Sequence, residues 1–295
     1  MTDFLTAYAD GGLYTMQGRL SSPEGGRFQS FPRRHWRLEI ERAAQIGLRG
    51  IEWIYDLYGE GANPIETEAG RQELTRLLGE HGIAVVSVCA DYFMDRPLLR
   101  TSPGERAALL ERLEWLLAVC GQLQVGRVVL PFVDASSIRN EAERAQVIEA
   151  LRQVLPSAEQ HAVELHLETD LDPDAFQQLL AALEHPLVRV NYDAGNSAAL
   201  GYLPEEEFAA YGPRVGSVHI KDRLRGAGTV ELGTGDTDFS SLREQLIKYD
   251  YRGDFVLQVA RGEPEDEPRW LAEMACLAAQ WLRGDALKNE KREQS

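Results

Sequence analysis

The sequence predicts a single (β/α)8 TIM barrel, and three observations predict it. Short β-branched runs alternate with longer stretches of helical period along the chain. Eight such strand-then-helix units fit within 295 residues, a length that suits one barrel with short extensions. No GxGxxG follows the first strand, so an open dinucleotide-binding sheet lacks its fingerprint. Repeated βα units imply parallel strands joined by right-handed crossovers.

The elements follow in order. Residues 13–16 make strand one, and a helix is expected over 36–46. Strand two is 50–54 (GIEWI), with its helix over 68–80, closed by His81-Gly82. Strand three is 84–89 (AVVSVC). Residues 104–123 carry Leu109, Leu113, Leu116, Cys120 and Leu123 at spacings of three and four, which mark one face of a helix. Strand four is 127–130 and its helix 141–161. Strand five is 163–167, with a helix over 172–183 and Pro173 near its start, where proline is tolerated. Strand six is 187–192, followed by 204–211. Strand seven is 215–220, with its helix over 239–249. Strand eight is 255–259 and the last helix 267–282. The barrel is expected over residues 1–284, with 285–295 a charged tail that frays.

Composition narrows the function classes. The 47 acidic and 31 basic residues give a net charge of −16, which disfavours a nucleic-acid partner, because phosphate binding needs a basic face. The chain is 44% hydrophobic, enough for a sizeable core. Cys89, Cys120 and Cys276 are odd in number, form no CxxC pair and sit in apolar runs, so they read as reduced core residues. The N-terminus has no basic and apolar leader pattern, and no run is long enough for a membrane span. A cytoplasmic location is the expectation.

In a closed barrel the chemistry sits where strands end and βα loops begin. Strand five ends His166-Leu167-Glu168, and strand six Tyr192-Asp193-Ala194-Gly195-Asn196. Strand seven ends His219-Ile220-Lys221-Asp222, and strand eight passes through Gln258. Four consecutive strands thus each offer one ligand: Glu168, Asp193, His219 and Gln258. Such a set suits a divalent ion: Mn²⁺, Zn²⁺, Co²⁺ or Mg²⁺. Singly, each has an ordinary alternative: a solvated glutamate, a core histidine, an Asp-Gly-Asn turn. His166 alternates with Glu168 and reads as packing or support for the site. Glu52 ends strand two, facing the pocket or a salt bridge. Trp53, Tyr92 and Phe93 would wall a sugar's CH face or cap the core. Arg19, Lys221, Arg223 and Arg261 are basic groups at strand ends, placed for a phosphate or carboxylate or for ordinary ion pairs.

At these residues the chain resembles the sugar phosphate isomerases and epimerases of the xylose-isomerase-like TIM-barrel superfamily. The resemblance runs from about Leu13 to Leu282 and is most specific in VNYDAGNSAALG, SVHIKDR and ELGTGDTDF. It implies that Asp193 and His219 are the strand-six and strand-seven metal ligands. It implies that Glu168 both binds metal and moves protons. Asn196 stands in the turn after Asp193, where the resemblance suggests substrate contact. One departure matters: where the epimerases have a second glutamate on strand eight, this chain has Gln258. An amide oxygen can ligate a hard cation but cannot take a proton.

The implied activity is metal-dependent isomerisation or epimerisation of a sugar or sugar phosphate through an enediolate. Glu168 is the candidate base and Lys221 a stabiliser of the oxyanion. His219 must be neutral to ligate, so metal binding should fail in acid. Three alternatives stay open. One is an inosose-type dehydratase. Another is a three-zinc repair endonuclease, against which the charge and the few strand-end histidines argue. The last is a sugar-binding barrel without turnover. A homo-oligomer also stays open.

Overall fold

The computed structural model describes residues 4–11 and 13–287. Eight parallel strands close into a ring: Tyr14–Met16, Gly50–Ile54, Ala84–Cys89, Arg127–Phe132, Glu164–Thr169, Val188–Asp193, Val215–Ile220 and Asp254–Leu257. They follow one another around the ring in chain order, and the eighth pairs with the first through Tyr14↔Val256. The expected fold class is therefore the observed one.

Caps set the helix starts. Ser102 and Glu105 form a reciprocal capping box for Pro103–Gln122. Asn140, Asp172 and Asp238 accept backbone N–H groups at the starts of Glu141–His161, Pro173–Ala182 and Phe239–Lys248. Remaining crossovers use Trp36–Gln45, Glu68–His81 and Pro204–Tyr211, and Glu267–Arg283 follows strand eight.

The structure adds elements that periodicity did not mark. Phe4–Asp10 is a helix ahead of strand one. Its Tyr8 hydroxyl donates to Asp254 Oδ1 at 3.0 Å, at the start of strand eight. Tyr92–Asp95 and Ala194–Leu200 are short helices directly after strands three and six. Strands four and five run on to Phe132 and Thr169, and strand eight stops at Leu257. Cys276 is exposed, unlike the buried Cys89 and Cys120, because it falls on the solvent side of the last helix. Among the described residues no helix is long and apolar enough to cross a membrane. The expected tail lies, from 288 onward, outside the described residues.

The barrel lumen carries polar side chains in layers. Arg127 of strand four bonds Asp254 of strand eight at 2.6 Å near the bottom. Above it, His166 Nδ1 lies 2.7 Å from Ser217 Oγ, which donates to Asn191 Oδ1 at 2.6 Å. The Arg127–Asp254 and His166–Ser217 pairs join strands that are not neighbours in the ring, so these side chains meet inside it. The apolar core lies mainly between the sheet and the helices, where Trp53, Ile40 and Leu74 are fully buried.

Candidate active site

The site grows from side-chain alternation. Residues two apart on a strand share a face. That puts Asn191 with Asp193, and Ser217 with His219, on the lumen side at the C-terminal end. Asp193 and His219 are also paired in register across strands six and seven.

Glu168, Asp193 and His219 converge at the mouth, each with one ligand atom within 4.8 Å of the others. Among the described residues they are the one such group of histidine, cysteine and carboxylates. His219 Nδ1 faces the carboxylates, 3.6 Å from Glu168 Oε2 and 4.0 Å from Asp193 Oδ2. Its other nitrogen, Nε2, meets Glu52 Oε1 at 2.7 Å. Glu52 in turn accepts from Ser87 Oγ at 2.5 Å. A carboxylate behind a histidine in this way fixes the ring orientation and turns the other nitrogen forward, where Asn191 Nδ2 lies 3.1 Å from it.

The electrostatics follow from burial and charge. Burial alone would lower the His219 imidazole, yet Glu52, with Glu168 and Asp193, raises it to about 9. Burial would raise Glu52, but His219 outweighs it and holds that carboxyl below its ordinary value. Glu168 is raised to about 7, first by burial and then by the nearby Asp193 charge.

Two asparagines orient Glu168. Asn191 Nδ2 donates to Oε2 at 2.8 Å, and Asn196 Nδ2 to Oε1 at 2.8 Å. Asp193 Oδ1 accepts from Asn196 N at 2.9 Å and so caps the helix Ala194–Leu200. Lys221 Nζ stands 3.0 Å from Asp193 Oδ2, 3.1 Å from Asn196 Oδ1 and 3.2 Å from Gln258 Oε1.

The donor set of two carboxylates and an imidazole whose Nδ1 faces them fits a divalent cation. The family model of the xylose isomerase-like TIM barrel matches residues 40–280. The chain belongs to the xylose isomerase-like TIM-barrel family.

Solved structures of other barrels share this fold. D-psicose 3-epimerase with D-tagatose from Clostridium cellulolyticum H10 superposes with a TM-score of 0.71. It is 16% identical, with 94% of this chain and 100% of that chain covered. The IolI protein with a bound zinc atom gives 0.71 at 16% identity, covering 92% and 96%. A xylose isomerase-like TIM-barrel protein from Mycobacterium smegmatis in complex with magnesium gives 0.69 at 18% identity, covering 93% and 98%. No protein of curated function matches this chain in sequence.

Within this family member, some sequence-predicted positions fall elsewhere. Trp53 does not line the mouth. It follows Glu52 on strand two, so alternation turns it outward. Its ring lies 5.7 Å from Phe31 and 6.0 Å from Trp36, and its indole N–H donates to Asn63 Oδ1 at 2.9 Å. Arg261 is a loop strut that donates to the carbonyls of Phe28 and Ser21 at 2.8 and 3.1 Å. Arg19 donates to the carbonyls of Val259 and Phe28 and to Gln29 Oε1. Arg223 binds Asn196 Oδ1 at 2.7 Å and the Ala227 carbonyl. The three guanidiniums expected to meet an anion are thus engaged by the protein itself. Phe93 is buried and Tyr92 stacks on Tyr55 at 5.3 Å, so both belong to the packing around strand three. His166 is interior support, as expected.

Other residues at the site were not singled out. Asn191 was reachable by counting two back from Asp193. Gln29 was not, because it comes from the loop after strand one. Its amide donates to Asp91 Oδ2 at 2.9 Å, and its oxygen accepts from Gln258 Nε2 at 3.0 Å. Gln29 thereby links the end of strand three to Gln258, and burial raises Asp91 to about 6. Asp222, inside the VHIKD run, accepts from the backbone N–H groups of Gly233, Gly235 and Thr237. It holds the glycine loop against the barrel rim. A Cβ on Gly235 would lie 2.1 Å from Asp222 Oδ1, so this loop needs glycine there.

Proposed function

We propose that this chain is a metal-dependent isomerase or epimerase of a sugar or sugar phosphate, moving a proton through an enediolate with Glu168 as base. The observation that carries the reading is the convergence of Glu168, Asp193 and His219 at the barrel mouth in a chain of this family. Barrels of the same fold seen with D-tagatose, with a zinc atom or with magnesium support it.

Glu168, Asp193 and His219 would hold the cation. A bound divalent ion polarises a carbonyl oxygen and stabilises the negative charge that follows proton removal. The protein's own groups do the rest. Glu168, held by Asn191 and Asn196, is positioned to take the proton. Lys221 presents an ammonium on the strand-eight side; to donate to an oxyanion it would have to give up Asp193, Asn196 or Gln258. Glu52 keeps His219 Nδ1 turned toward the carboxylates. Gln258 cannot accept a proton. One carboxylate base therefore serves the strand-five to strand-eight side, which favours proton return on the same face over inversion by two bases. A phosphorylated substrate would require Arg19, Arg223 or Arg261 to give up a protein acceptor.

The test is hydrogen exchange. Ketoses and ketose phosphates are incubated in D₂O with Mn²⁺ or Mg²⁺ and followed by NMR and mass spectrometry. The reading expects deuterium at the carbon beside the carbonyl, and loss of that exchange in Glu168→Gln. Loss of one water mass from the sugar would mark a dehydratase instead. Absence of exchange across the panel would contradict the proposal.

A further inference from the structure

Strand eight is where this chain departs from the family pattern, and the surroundings of Gln258 show what the amide does. Its oxygen accepts from Lys221 Nζ at 3.2 Å, and its nitrogen donates to Gln29 Oε1 at 3.0 Å. Both ends of the side chain are committed within the protein. The same ammonium donates to Asp193 Oδ2 and Asn196 Oδ1. Three acceptors meet the three donors of a lysine, its full complement.

The stem of Lys221 is seated as firmly as its head. It lies across Gly195, where a Cβ would come within 2.7 Å of Lys221 Cγ. Asp193, meanwhile, has one oxygen to offer. Oδ1 is spent on the helix cap, and Oδ2 is the oxygen that both faces His219 Nδ1 and receives Lys221. A divalent ion at the Glu168, Asp193 and His219 cluster must share that oxygen with the ammonium.

We infer that Gln258 is the seat of the Lys221 ammonium and not a metal ligand. On this inference the ammonium is a resident cation that limits how tightly a divalent ion binds to Glu168, Asp193 and His219. The inference rests on the metal site proposed above and names what regulates it. A glutamate at position 258 would add a third negative charge to those of Glu168 and Asp193, enough for lysine and ion together. With an amide there, the ion and the ammonium share Asp193 Oδ2, and like charges at close range in a buried site repel strongly.

Mn²⁺ alone, titrated into the full chain and read by the spin-resonance signal of free ion, tests this without any substrate. The proteins compared are the wild type, Lys221→Gln, Lys221→Met and Gln258→Ala, each checked for native melting. Lys221→Gln keeps a neutral polar group against Asp193 if the methionine disturbs folding. Both lysine variants are expected to bind Mn²⁺ at least about tenfold more tightly than wild type, the scale of groups that support metal ligands. Gln258→Ala is expected to stay within about threefold of wild type, far less than loss of a ligand costs. Weakening by about tenfold or more in Gln258→Ala would overturn the inference, as would lysine variants that bind no tighter. Binding in the lysine variants alone would support it while removing metal dependence from the wild type. Binding in none of the four would overturn the metal site, and the inference with it.

Discussion

Lys221 Nζ lies 3.0 Å from Asp193 Oδ2, the one oxygen of that carboxylate not used to cap a helix. A buried ammonium and a candidate metal ligand are thus in direct contact, and glycine at 195 makes room for it. Gly195→Ala puts a methyl group 2.7 Å from Lys221 Cγ and must push the stem aside. The expected result is tighter Mn²⁺ binding, in the direction of Lys221→Gln but smaller. The clash falls on the near stem of a buried side chain, so stability should fall as well, despite alanine's better helix propensity. Mn²⁺ titration of this variant checks the expectation.

Glu168 is the one carboxylate of the cluster held by two asparagine amides. Glu168→Gln keeps shape and removes the base. Exchange of substrate C–H for deuterium should fall by at least about a hundredfold, the usual worth of a general base. Unchanged exchange in a folded Glu168→Gln protein would assign the base elsewhere.

Metal affinity should rise with pH. Both Glu168 and His219 hold protons more tightly than usual in the metal-free protein, at about 7 and about 9. Those raised values favour the metal-free fold in its protonated forms, present at low pH and lost as pH rises through about 7 and then about 9. A cation needs the deprotonated forms and gains what the protons lose. The melting-temperature increase caused by Mn²⁺ should therefore grow between pH 6 and 9, by up to about tenfold in affinity per pH unit for each proton expelled. A shift that shrinks over this range would contradict the proposed ligands.

Trp53 separates packing from function. It is fully buried against Phe31 and Trp36. Trp53→Ala should destabilise the barrel by about 3–5 kcal/mol in denaturant unfolding. Mn²⁺ affinity measured well below the transition should stay close to wild type. A large change in affinity with small loss of stability would return Trp53 to the site.

Asp222 anchors the loop 229–238 through three backbone N–H groups. Asp222→Ala leaves those donors unpaired and should cost about 3 kcal/mol in unfolding free energy. Hydrogen exchange should show lost protection first at Gly233, Gly235 and Thr237.

The barrel and the Glu168, Asp193 and His219 triad were legible because both rest on local pattern. Strand periodicity places Glu168, Asp193 and His219 at strand ends, and the closed ring then brings those ends together. Glu52 and Trp53 show where pattern was underused. Adjacent strand residues face opposite sides, so only one of them could point into the mouth. Gln29 and Asp91 carry no such signal, since a loop and a strand-end turn meet there only in the folded chain. The arginines were legible as basic groups near strand ends. Their partners, the carbonyls of Phe28, Ser21 and Val259, depend on how the loop after strand one packs. Gln258 was visible as a departure, while its bond to Lys221 required the register of strands seven and eight.

The most direct test of the account is the divalent metal content of the purified chain, before and after adding Mn²⁺ at about pH 8, compared with Asp193→Ala and His219→Ala. The account predicts up to about one equivalent bound by wild type once Mn²⁺ is supplied, and marked loss in both variants. Equal metal content in wild type and both variants, or none in wild type after adding Mn²⁺, would contradict it.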